Sequence, residues 1–296
     1  MHPPTVPRFS DRLATAIDRV GSPTCIGLDP VYEKLPDQVR ACHHEPVRAI
    51  EEFCRAVLDA VAPFAAAIKP QSACFERYRG AGTDLLDSLI GQARDRGVMV
   101  ILDAKRGDIG PTAEHYAHAA FHAGADAVTV NASMGFDTLE PFLNRVREHN
   151  KGLFVLVRTS NPGSDELQSA RLADGRTVAE LAADHVRAAG RGCIGARGLS
   201  DLGAVVGATK LDGASLRDRM PEQVFLMPGY GAQGGSRSDI RPMCRAGTSS
   251  ATAAEWGVLV NASRSVLYPP IEGTNWKMSV CNAAERFADE LRSLKD

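Results

Sequence analysis

The sequence has 296 residues, of which 44% are hydrophobic, and its 34 basic and 36 acidic side chains leave a formal charge of -2. This balance speaks against a nucleic-acid partner held by a basic surface, because such proteins carry clustered excess lysine and arginine. The longest apolar run, Ala60 to Ile68, has nine residues and contains Pro63, whereas a membrane-spanning helix needs about 20, so we expect no membrane insertion.

Short apolar runs and helix-like stretches alternate along the whole sequence. The predicted strands are Thr24–Leu28, Ala65–Ile68, Val98–Leu102, Ala127–Val130, Leu153–Val157, Ala204–Val206, Val224–Met227 and Val258–Val260. The predicted helices are Pro46–Val61, Asp84–Arg96, Thr112–His122, Asp137–His149, Thr177–Ala189, Leu211–Met220 and Trp276–Leu294. Each helix carries apolar residues near helical spacing.

This alternation predicts parallel strands joined by helical crossovers, and strands that are almost entirely apolar are typical of a sheet covered on both faces. Eight such units predict an α/β fold closed into one (β/α)8 barrel, a TIM barrel, that occupies residues 1–296 as a single domain. An open doubly wound sheet is the alternative, although no G-x-G-x-x-G motif follows the first strand to support a dinucleotide-binding version.

The cysteines and the first residues indicate the cellular compartment. Seven cysteines are spread along the chain and never form a Cys-x-x-Cys pair, so neither a disulfide framework nor a zinc ribbon is expected. The first twelve residues, MHPPTVPRFSDR, lack the apolar stretch of a secretory signal. We therefore expect a cytoplasmic protein with reduced thiols and no metal site.

Charged side chains follow the apolar runs at their carboxyl ends, where the active sites of parallel barrels are assembled. Three of the predicted strands are followed by charged residues, namely Asp29, Lys69, and Asp103 with Lys105. Asp103 and Lys105 are two positions apart on one strand, so their side chains should share a face and form an ion pair. With Lys69 and Asp108 beside them, the carboxylates would keep each lysine protonated. A protonated lysine can donate a proton or stabilise an anion.

Each member of this charge array also has a purely structural interpretation. The array could be a salt-bridge network that holds the mouth of the barrel. Asp108 precedes Pro111, near which a helix should begin, so it could simply favour that helix N-terminus. Asp29 precedes Pro30 and could belong to a turn.

A glycine-rich loop, PGYGAQGG, follows the seventh predicted strand. The backbones of Gly229 and Gly231 can approach a ligand closely and present amide donors to an anion. Arg264 follows the eighth strand, and barrels often bind phosphate with the loops after strands seven and eight. The sequence therefore predicts a phosphate site in which Arg264 binds the oxygens in a bidentate manner; a flexible surface loop is the alternative.

The segment DAKRGDIGPT, from Asp103 to Thr112, resembles the D-x-K-x-x-D signature of the orotidine 5'-phosphate decarboxylase family. The resemblance continues in the family's order through GLD, IKPQ, SNPG, VGAT, PGYGAQGG and SRSVL, which together extend from Gly27 to Leu267. The length and the IKPQ and PGYGAQGG variants are most similar to the longer bacterial subgroup, type 2. The resemblance thus covers essentially the whole chain.

The resemblance implies decarboxylation of orotidine 5'-phosphate to uridine 5'-phosphate in de novo pyrimidine (UMP) biosynthesis, without metal or organic cofactor. It implies that Lys105 protonates C6 of the pyrimidine after carbon dioxide leaves. Asp103 matches the carboxylate that lies beside the carboxylate of the substrate. Asp29 and Lys69 match residues that contact the ribose hydroxyls and complete the charge network.

The resemblance also implies a homodimer with shared active sites. Asp108, Ile109 and Thr112 match positions that reach across the dimer interface into the neighbouring site, and Ser160 matches the serine that hydrogen-bonds the pyrimidine. Two further matches concern the phosphate, namely Gln233 in the loop and Arg264. The loop continues here as SRSDIRPMCRAGTSS, which departs from the shorter members of the family.

Two other functions remain open on the sequence. A magnesium-dependent sugar-phosphate lyase or aldolase of the same superfamily shares the D-x-K-x-x-D pattern, but it needs an added carboxylate ligand, whereas Lys69-Pro70-Gln71 stands at the second strand end. A non-catalytic nucleotide-binding barrel would retain the phosphate site. The intact Asp103, Lys105 and Asp108 favour an enzyme over such a barrel.

Overall fold

The computed structural model describes residues 6–210, 212–231, 234–245, 252–271 and 275–294. In this part of the chain, parallel strands close into a barrel in sequential order, with β8 paired to β1. The strands are β1 (Thr24–Leu28), β2 (Ala67–Pro70), β3 (Met99–Arg106), β4 (Ala127–Val130), β5 (Gly152–Arg158), β6 (Leu202–Val206), β7 (Phe225–Met227) and β8 (Val258–Ala262). The predicted TIM barrel is confirmed.

Helices lie between the strands and after the last of them. The α-helices are α1 (Phe9–Val20), α2 (Asp37–Ala41), α3 (Pro46–Val61), α4 (Ser72–Glu76), α5 (Arg79–Asp95), α6 (Gly110–His122), α7 (Glu140–His149), α8 (Ser164–Gln168), α9 (Val178–Gly190), α10 (Gly213–Arg219), α11 (Arg237–Ile240), α12 (Arg264–Leu267) and α13 (Trp276–Arg292). Short 3-10 helices span Tyr32–Lys34, Phe136–Leu139, Arg191–Cys193, Arg241–Met243 and Ala253–Trp256. None of the helices in the described ranges is long and apolar enough to cross a membrane.

Four predicted strands end earlier than the observed strands, and β2 and β3 do so because the prediction followed apolar residues alone. β2 continues through Lys69 and Pro70 instead of ending at Ile68, and β3 continues through Asp103 to Arg106 instead of ending at Leu102. Lys69 and Asp103 are both buried within these strands, where they form an ion pair with each other. A buried charge is tolerated when it is paired and hydrogen-bonded, which explains how the strands extend beyond their apolar runs.

Most predicted helices also have different boundaries, and the helix predicted as Asp84–Arg96 differs most at its start, because α5 begins at Arg79. The segment predicted as Asp137–His149 begins as the 3-10 helix Phe136–Leu139 and becomes α-helical only at Glu140. Pro141 fits the first turn of α7 because it has no N–H group to leave unpaired there. The helix predicted as Leu211–Met220 is observed as Gly213–Arg219, and Leu211 lies outside the described residues.

Helix α1, which the sequence analysis did not identify, packs against the interior of the barrel. Phe9, Leu13 and Ile17 are almost completely buried, in one apolar cluster with barrel residues such as Phe154. The rings of Phe9 and Phe154 meet edge to face at 6.0 Å. The buried carboxylate of Asp201, just before β6, accepts hydrogen bonds at the start of this helix, including one of 2.8 Å from the backbone N–H of Ser10. A second, larger apolar cluster packs the strands against the outer helices.

Replacement of Phe9 with alanine should therefore destabilise the barrel by about 3–5 kcal/mol, the usual cost of removing a buried phenylalanine ring. The free energy of unfolding is measured by equilibrium denaturation with urea. Thr15→Ala is the matched control, because Thr15 is exposed on the same helix and an exposed substitution usually changes stability by less than about 0.5 kcal/mol. Equal effects of the two substitutions would contradict the packing of α1 described here.

Candidate active site

A cavity of about 810 Å³ opens at the carboxyl ends of the strands. This is the end of the barrel at which the sequence places the candidate side chains. The candidate residues that line the cavity are Asp29, Lys69, Asp103, Lys105, Ser160, Gly229 and Arg264. They come from β2 and β3 and from the segments that follow β1, β5, β7 and β8, so the fold brings together residues that are far apart in the sequence.

Asp103 lies at the centre of a charged array in this cavity. Its Oδ2 lies 2.7 Å from Nζ of Lys69, and its Oδ1 lies 2.6 Å from Nζ of Lys105. Thr129 donates its hydroxyl to Oδ1 at 2.8 Å, and Gln71 donates its amide to Oδ2 at 3.2 Å. The carboxylate therefore accepts four hydrogen bonds, two of them from ammonium groups.

These contacts set the ionisation of Asp103. Burial by itself would raise the pKa of this carboxyl, but the positive charges of Lys69 and Lys105 outweigh it and hold the pKa well below its usual range. Because two ammonium groups donate to it, the carboxylate is fixed in position as well as in charge. Asp103 therefore stays ionised at neutral pH and holds both lysines beside the cavity.

Lys105 reaches the array through an unusual backbone conformation. Its φ is +45°, a left-handed value that is uncommon for a residue other than glycine. The pairing of β3 with β4 shifts register between Leu102 and Arg106, and the N–H of Lys105 donates to the hydroxyl of Thr129 at 3.0 Å. This local irregularity leaves 44% of the Lys105 side chain exposed. Its ammonium group is thus open to the cavity while it is held by Asp103.

Lys69 lies deeper than Lys105, with only 6% of its side chain exposed. Its Nζ lies 3.9 Å from Oδ1 of Asp29. Burial by itself would lower the pKa of Lys69, but Asp29 and Asp103 outweigh it and raise the pKa above its ordinary value. Oδ1 of Asp29 is buried and accepts no hydrogen bond from the described residues. The side chain of Asp29 as a whole is 31% exposed and lines the cavity, so its carboxylate can accept a hydrogen bond from a ligand hydroxyl.

The side of the cavity that the sequence predicts to bind phosphate is formed after β7 and β8. Gly229 and Arg264 line the cavity, and both Gly229 and Gly231 have positive φ, which glycine adopts without strain. A side-chain carbon at Gly27 would lie 1.9 Å from Oγ of Ser263, so only glycine lets the chain before Arg264 pass so close to β1. Gly231 does not line the cavity, and Gln233 lies outside the described residues.

Three predicted site residues lie away from the cavity of their own chain. Asp108, Ile109 and Thr112 are absent from its lining, and 60% of Ile109 is exposed. Oδ1 of Asp108 accepts a hydrogen bond from the N–H of Ile109 at 2.8 Å. The expectation that Asp108 joins the array of Asp103 and Lys105 is wrong for a single chain, because β3 ends at Arg106 and the chain then leads away toward α6.

Two residues of the array were not among the sequence candidates. Gln71 was noted at its strand end without a role, and its position two residues after Lys69 was the signal for a shared face. Thr129 is the polar residue in the otherwise apolar run AVTV of β4. A hydroxyl in a buried strand needs a hydrogen-bond partner, but the sequence does not indicate which one.

Comparison with known proteins gives a consistent result. The model of the orotidine 5'-phosphate decarboxylase / HUMPS family matches residues 22–268, a range that includes β1 to β8. A relative named orotidine 5'-phosphate decarboxylase from Rhodopirellula baltica is 37% identical, with 96% of this chain and 99% of the relative covered. One of the same name from Roseiflexus castenholzii is 42% identical, with coverage of 96% and 97%.

Solved structures resemble the chain over nearly its whole length. A crystal structure from Streptomyces avermitilis has a TM-score of 0.83 at 36% identity and covers 99% of this chain, with 98% of its own chain matched. The structure of Leishmania donovani OMP decarboxylase has a TM-score of 0.76 at 32% identity, with coverage of 97% and 98%. Fold and sequence therefore indicate relatives of the same family.

Proposed function

The chain belongs to the orotidine 5'-phosphate decarboxylase family and is a carboxy-lyase; on that premise we propose that it converts orotidine 5'-phosphate to uridine 5'-phosphate and carbon dioxide in pyrimidine biosynthesis. The observation that carries the proposal is the array of Lys69, Asp103 and Lys105 beside the cavity. It offers fixed charges of both signs at one place. That is what a decarboxylation without an electron sink requires.

Lys105 is the proposed proton donor. When the bond between C6 and the carboxylate breaks, carbon dioxide leaves and the electron pair stays on C6, where the pyrimidine ring cannot delocalise it. A preorganised cation stabilises such developing charge more effectively than water does. The Lys105 ammonium then transfers one proton to C6 as a general acid and is itself reprotonated by solvent. Because Lys105 supplies both the cation and the proton, the proposed reaction uses no metal and no organic cofactor.

Asp103 is proposed to hold the lysines and to face the carboxylate of the substrate. Its ionised state, maintained by Lys69 and Lys105, places a negative charge close to the group that leaves. Like charges at short distance repel, so loss of carbon dioxide relieves that repulsion. The same carboxylate keeps the Lys105 ammonium within 2.6 Å, and a positioned acid transfers its proton more readily than a mobile one.

The remaining lining residues are proposed to bind the rest of the substrate. The carboxylate of Asp29 suits a ribose hydroxyl, and Ser160, which also lines the cavity, would hydrogen-bond the pyrimidine. The backbone of Gly229 and the guanidinium of Arg264 would hold the phosphate, with Gln233 in the same loop. Binding energy gained at the phosphate, far from C6, orients the ring for reaction.

The test of this function is the loss of ultraviolet absorbance of orotidine 5'-phosphate with purified protein in excess chelator. We expect turnover that the chelator does not reduce. Turnover that depends on added magnesium, or no turnover by correctly folded protein, would contradict the proposal and direct the search to sugar phosphates. The lining carboxylates favour the first result, because Asp103 is hydrogen-bonded to two lysines and Asp29 lies 3.9 Å from one of them.

We also propose that two chains form a homodimer in which each completes the other's site. Asp108, Ile109 and Thr112 would enter the cavity of the partner subunit. Ile109 and Thr112 are exposed and Asp108 is half-buried in one chain, and the large apolar side chain of Ile109 at the surface supports this arrangement. Tyr116, one turn after Thr112 on α6, is also exposed and lies under the guanidinium of Arg106.

Mixing two inactive variants tests the shared site. In a hybrid of an Asp108→Ala chain with a Lys105→Ala chain, one site carries both lesions and the other carries none. Such hybrids should therefore regain about half of the activity of a wild-type dimer, because one of the two sites is complete. Activity is measured on hybrids purified by two different affinity tags.

The matched control combines Lys105→Ala with Asp103→Asn. Both residues come from the same chain, so each site of that hybrid carries one lesion and no recovery is expected. Failure of the Asp108→Ala and Lys105→Ala hybrid to exceed this control would refute the cross-subunit role of Asp108.

A further inference from the structure

Arg158 is a buried arginine next to the cavity that the proposed reaction does not use. It is the last residue of β5 and only 5% exposed, and it is not part of the cavity lining. Its Nε donates to Oδ2 of Asp212 at 2.8 Å, its Nη1 donates to Oγ of Ser164 at 3.2 Å, and its Nη2 forms an ion pair with Asp165. The guanidinium thus binds two segments that follow different strands.

The first of these segments follows β5 and forms part of the cavity wall. Thr159, Ser160 and Gln168 all line the cavity. Oε1 of Gln168 accepts the N–H of Thr159 at 2.8 Å, and its Nε2 donates to the Thr159 hydroxyl at 2.9 Å. Ser164 donates its hydroxyl to the Thr159 carbonyl at 3.0 Å. Thr159 is therefore fixed on several sides, and the position of Ser160 follows from it.

The second segment, which follows β6, supports Ser160 from behind. A side-chain carbon at Gly207 would lie 3.0 Å from Cβ of Ser160 and 3.1 Å from its backbone N. Gly207 donates its N–H to the carbonyl of Arg158 at 2.7 Å, and Lys210 donates to Oδ1 of Asp165 at 3.0 Å. The two segments are therefore in close contact, with Arg158 between them.

We propose that Arg158 is a positioning residue of the decarboxylation reaction, which holds the segment after β5 against the segment after β6 and so fixes Ser160 at the pyrimidine side of the cavity. The inference rests on the proposed function. Arginine suits this role because its planar group donates in several fixed directions at once, whereas a lysine carries a single point charge. A shift of about 1 Å in a contacting group can lower a rate by roughly a hundredfold.

A double-mutant cycle between Arg158 and Ser160 tests the proposal. We expect Arg158→Met to lower kcat/KM for orotidine 5'-phosphate by roughly ten- to a hundredfold. If Arg158 acts through Ser160, the same substitution in a Ser160→Ala background should cost less than about threefold, because coupled residues are not additive. A purely structural role of Arg158 would lower kcat/KM by the same factor in both backgrounds.

Two further variants keep the result interpretable. Arg219→Met is the control, because Arg219, with 32% of its side chain exposed, also pairs with two carboxylates, Asp184 at 3.0 Å and Glu180 at 3.2 Å, and none of the three lines the cavity. It should leave kcat/KM unchanged. Should Arg158→Met fail to fold, Arg158→Lys replaces it, because lysine keeps the positive charge but lacks the planar guanidinium group. The loss of kcat/KM in Arg158→Lys should be smaller, and it should again disappear in the Ser160→Ala background.

The outcomes separate this inference from the proposed function. Wild-type turnover together with additive effects of Arg158 and Ser160 overturns the positioning role alone. Wild-type kcat/KM in Arg158→Met overturns it as well. Absence of turnover in the wild-type protein overturns the proposed function, and the inference fails with it.

Discussion

Replacement of Lys105 with alanine should lower the rate of decarboxylation by at least about 10⁴-fold. In the proposed reaction the substitution removes two contributions at once, because the same ammonium group would stabilise charge at C6 and supply the proton. Mutational losses are roughly 10²–10⁴-fold for a general acid and 10²–10³-fold for one preorganised electrostatic group. The backbone at φ +45° and the 2.6 Å contact with Asp103 serve to place this single side chain.

The measurement is single-turnover kinetics of Lys105→Ala with orotidine 5'-phosphate, beside the dissociation constant of uridine 5'-phosphate. Product affinity should remain within about tenfold of the wild-type value, because Arg264 and Gly229, the proposed phosphate contacts, are unchanged and the loss of one uniform contact is worth about 1.4 kcal/mol or less. Lys277→Ala, an exposed lysine on α13, serves as the control and should retain full turnover. Residual activity above a few per cent in Lys105→Ala would contradict the proposed role of Lys105 as proton donor.

The sequence was sufficient to predict the barrel because the order of its elements is a local property. Apolar runs such as Thr24–Leu28 and Ala127–Val130 match β1 and β4 residue for residue, since strands buried on both faces consist almost entirely of apolar residues. Lys69 and Asp103 interrupt this apolar pattern. Each of the two charged side chains can lie in a buried strand because the other one pairs with it. The ion pair joins residues that are 34 positions apart.

Only part of the candidate site could be predicted, because only part of it follows from the local spacing of residues. The spacing of Asp103 and Lys105 implied an ion pair, and the structure contains it. The left-handed φ of Lys105 and the hydrogen bond from Thr129 to Asp103 depend on the register of β3 against β4, which no local pattern encodes. Asp108 illustrates a different limit, because one chain alone does not bring it to the array.

Replacement of Asp103 with asparagine should lower turnover by roughly a thousandfold and destabilise the fold by about 3 kcal/mol at pH 7. The single amide oxygen can accept from Thr129 or from Gln71 but not from both, because these two groups donate to different oxygens of Asp103, and the charge that holds Lys69 and Lys105 is lost. Removal of one partner from a buried ion pair leaves the other charge uncompensated, which costs about 3–5 kcal/mol. Lys69, with 6% of its side chain exposed, would retain only Asp29, at 3.9 Å.

The matched control for Asp103→Asn is Asp59→Asn. Asp59 pairs with Arg96 at 2.6 Å, but 66% of its side chain is exposed. Exposed ion pairs contribute about 0–1 kcal/mol, so this variant should keep both turnover and stability. Unfolding free energies are measured with urea for both variants and the wild-type protein. A loss in Asp103→Asn no larger than that in Asp59→Asn would contradict the buried array.

The pH dependence of the stability difference between the wild-type protein and Asp103→Asn shows whether the charge of Asp103 or its packing causes that difference. The pKa of Asp103 is lower in the folded protein than in the unfolded chain, so the unfolded chain binds more protons as the pH falls, and the stabilisation declines with it. It is fully present above the ordinary aspartate pKa of about 4 and is lost as the pH falls further.

The pKa of Lys69 is raised, so the contribution of Lys69 to stability is complete below about pH 10 and declines only above that. The stability gap between the wild-type protein and Asp103→Asn should therefore stay constant from about pH 5 to 9 and narrow below about pH 4, whereas a gap caused by altered packing alone would not change with pH.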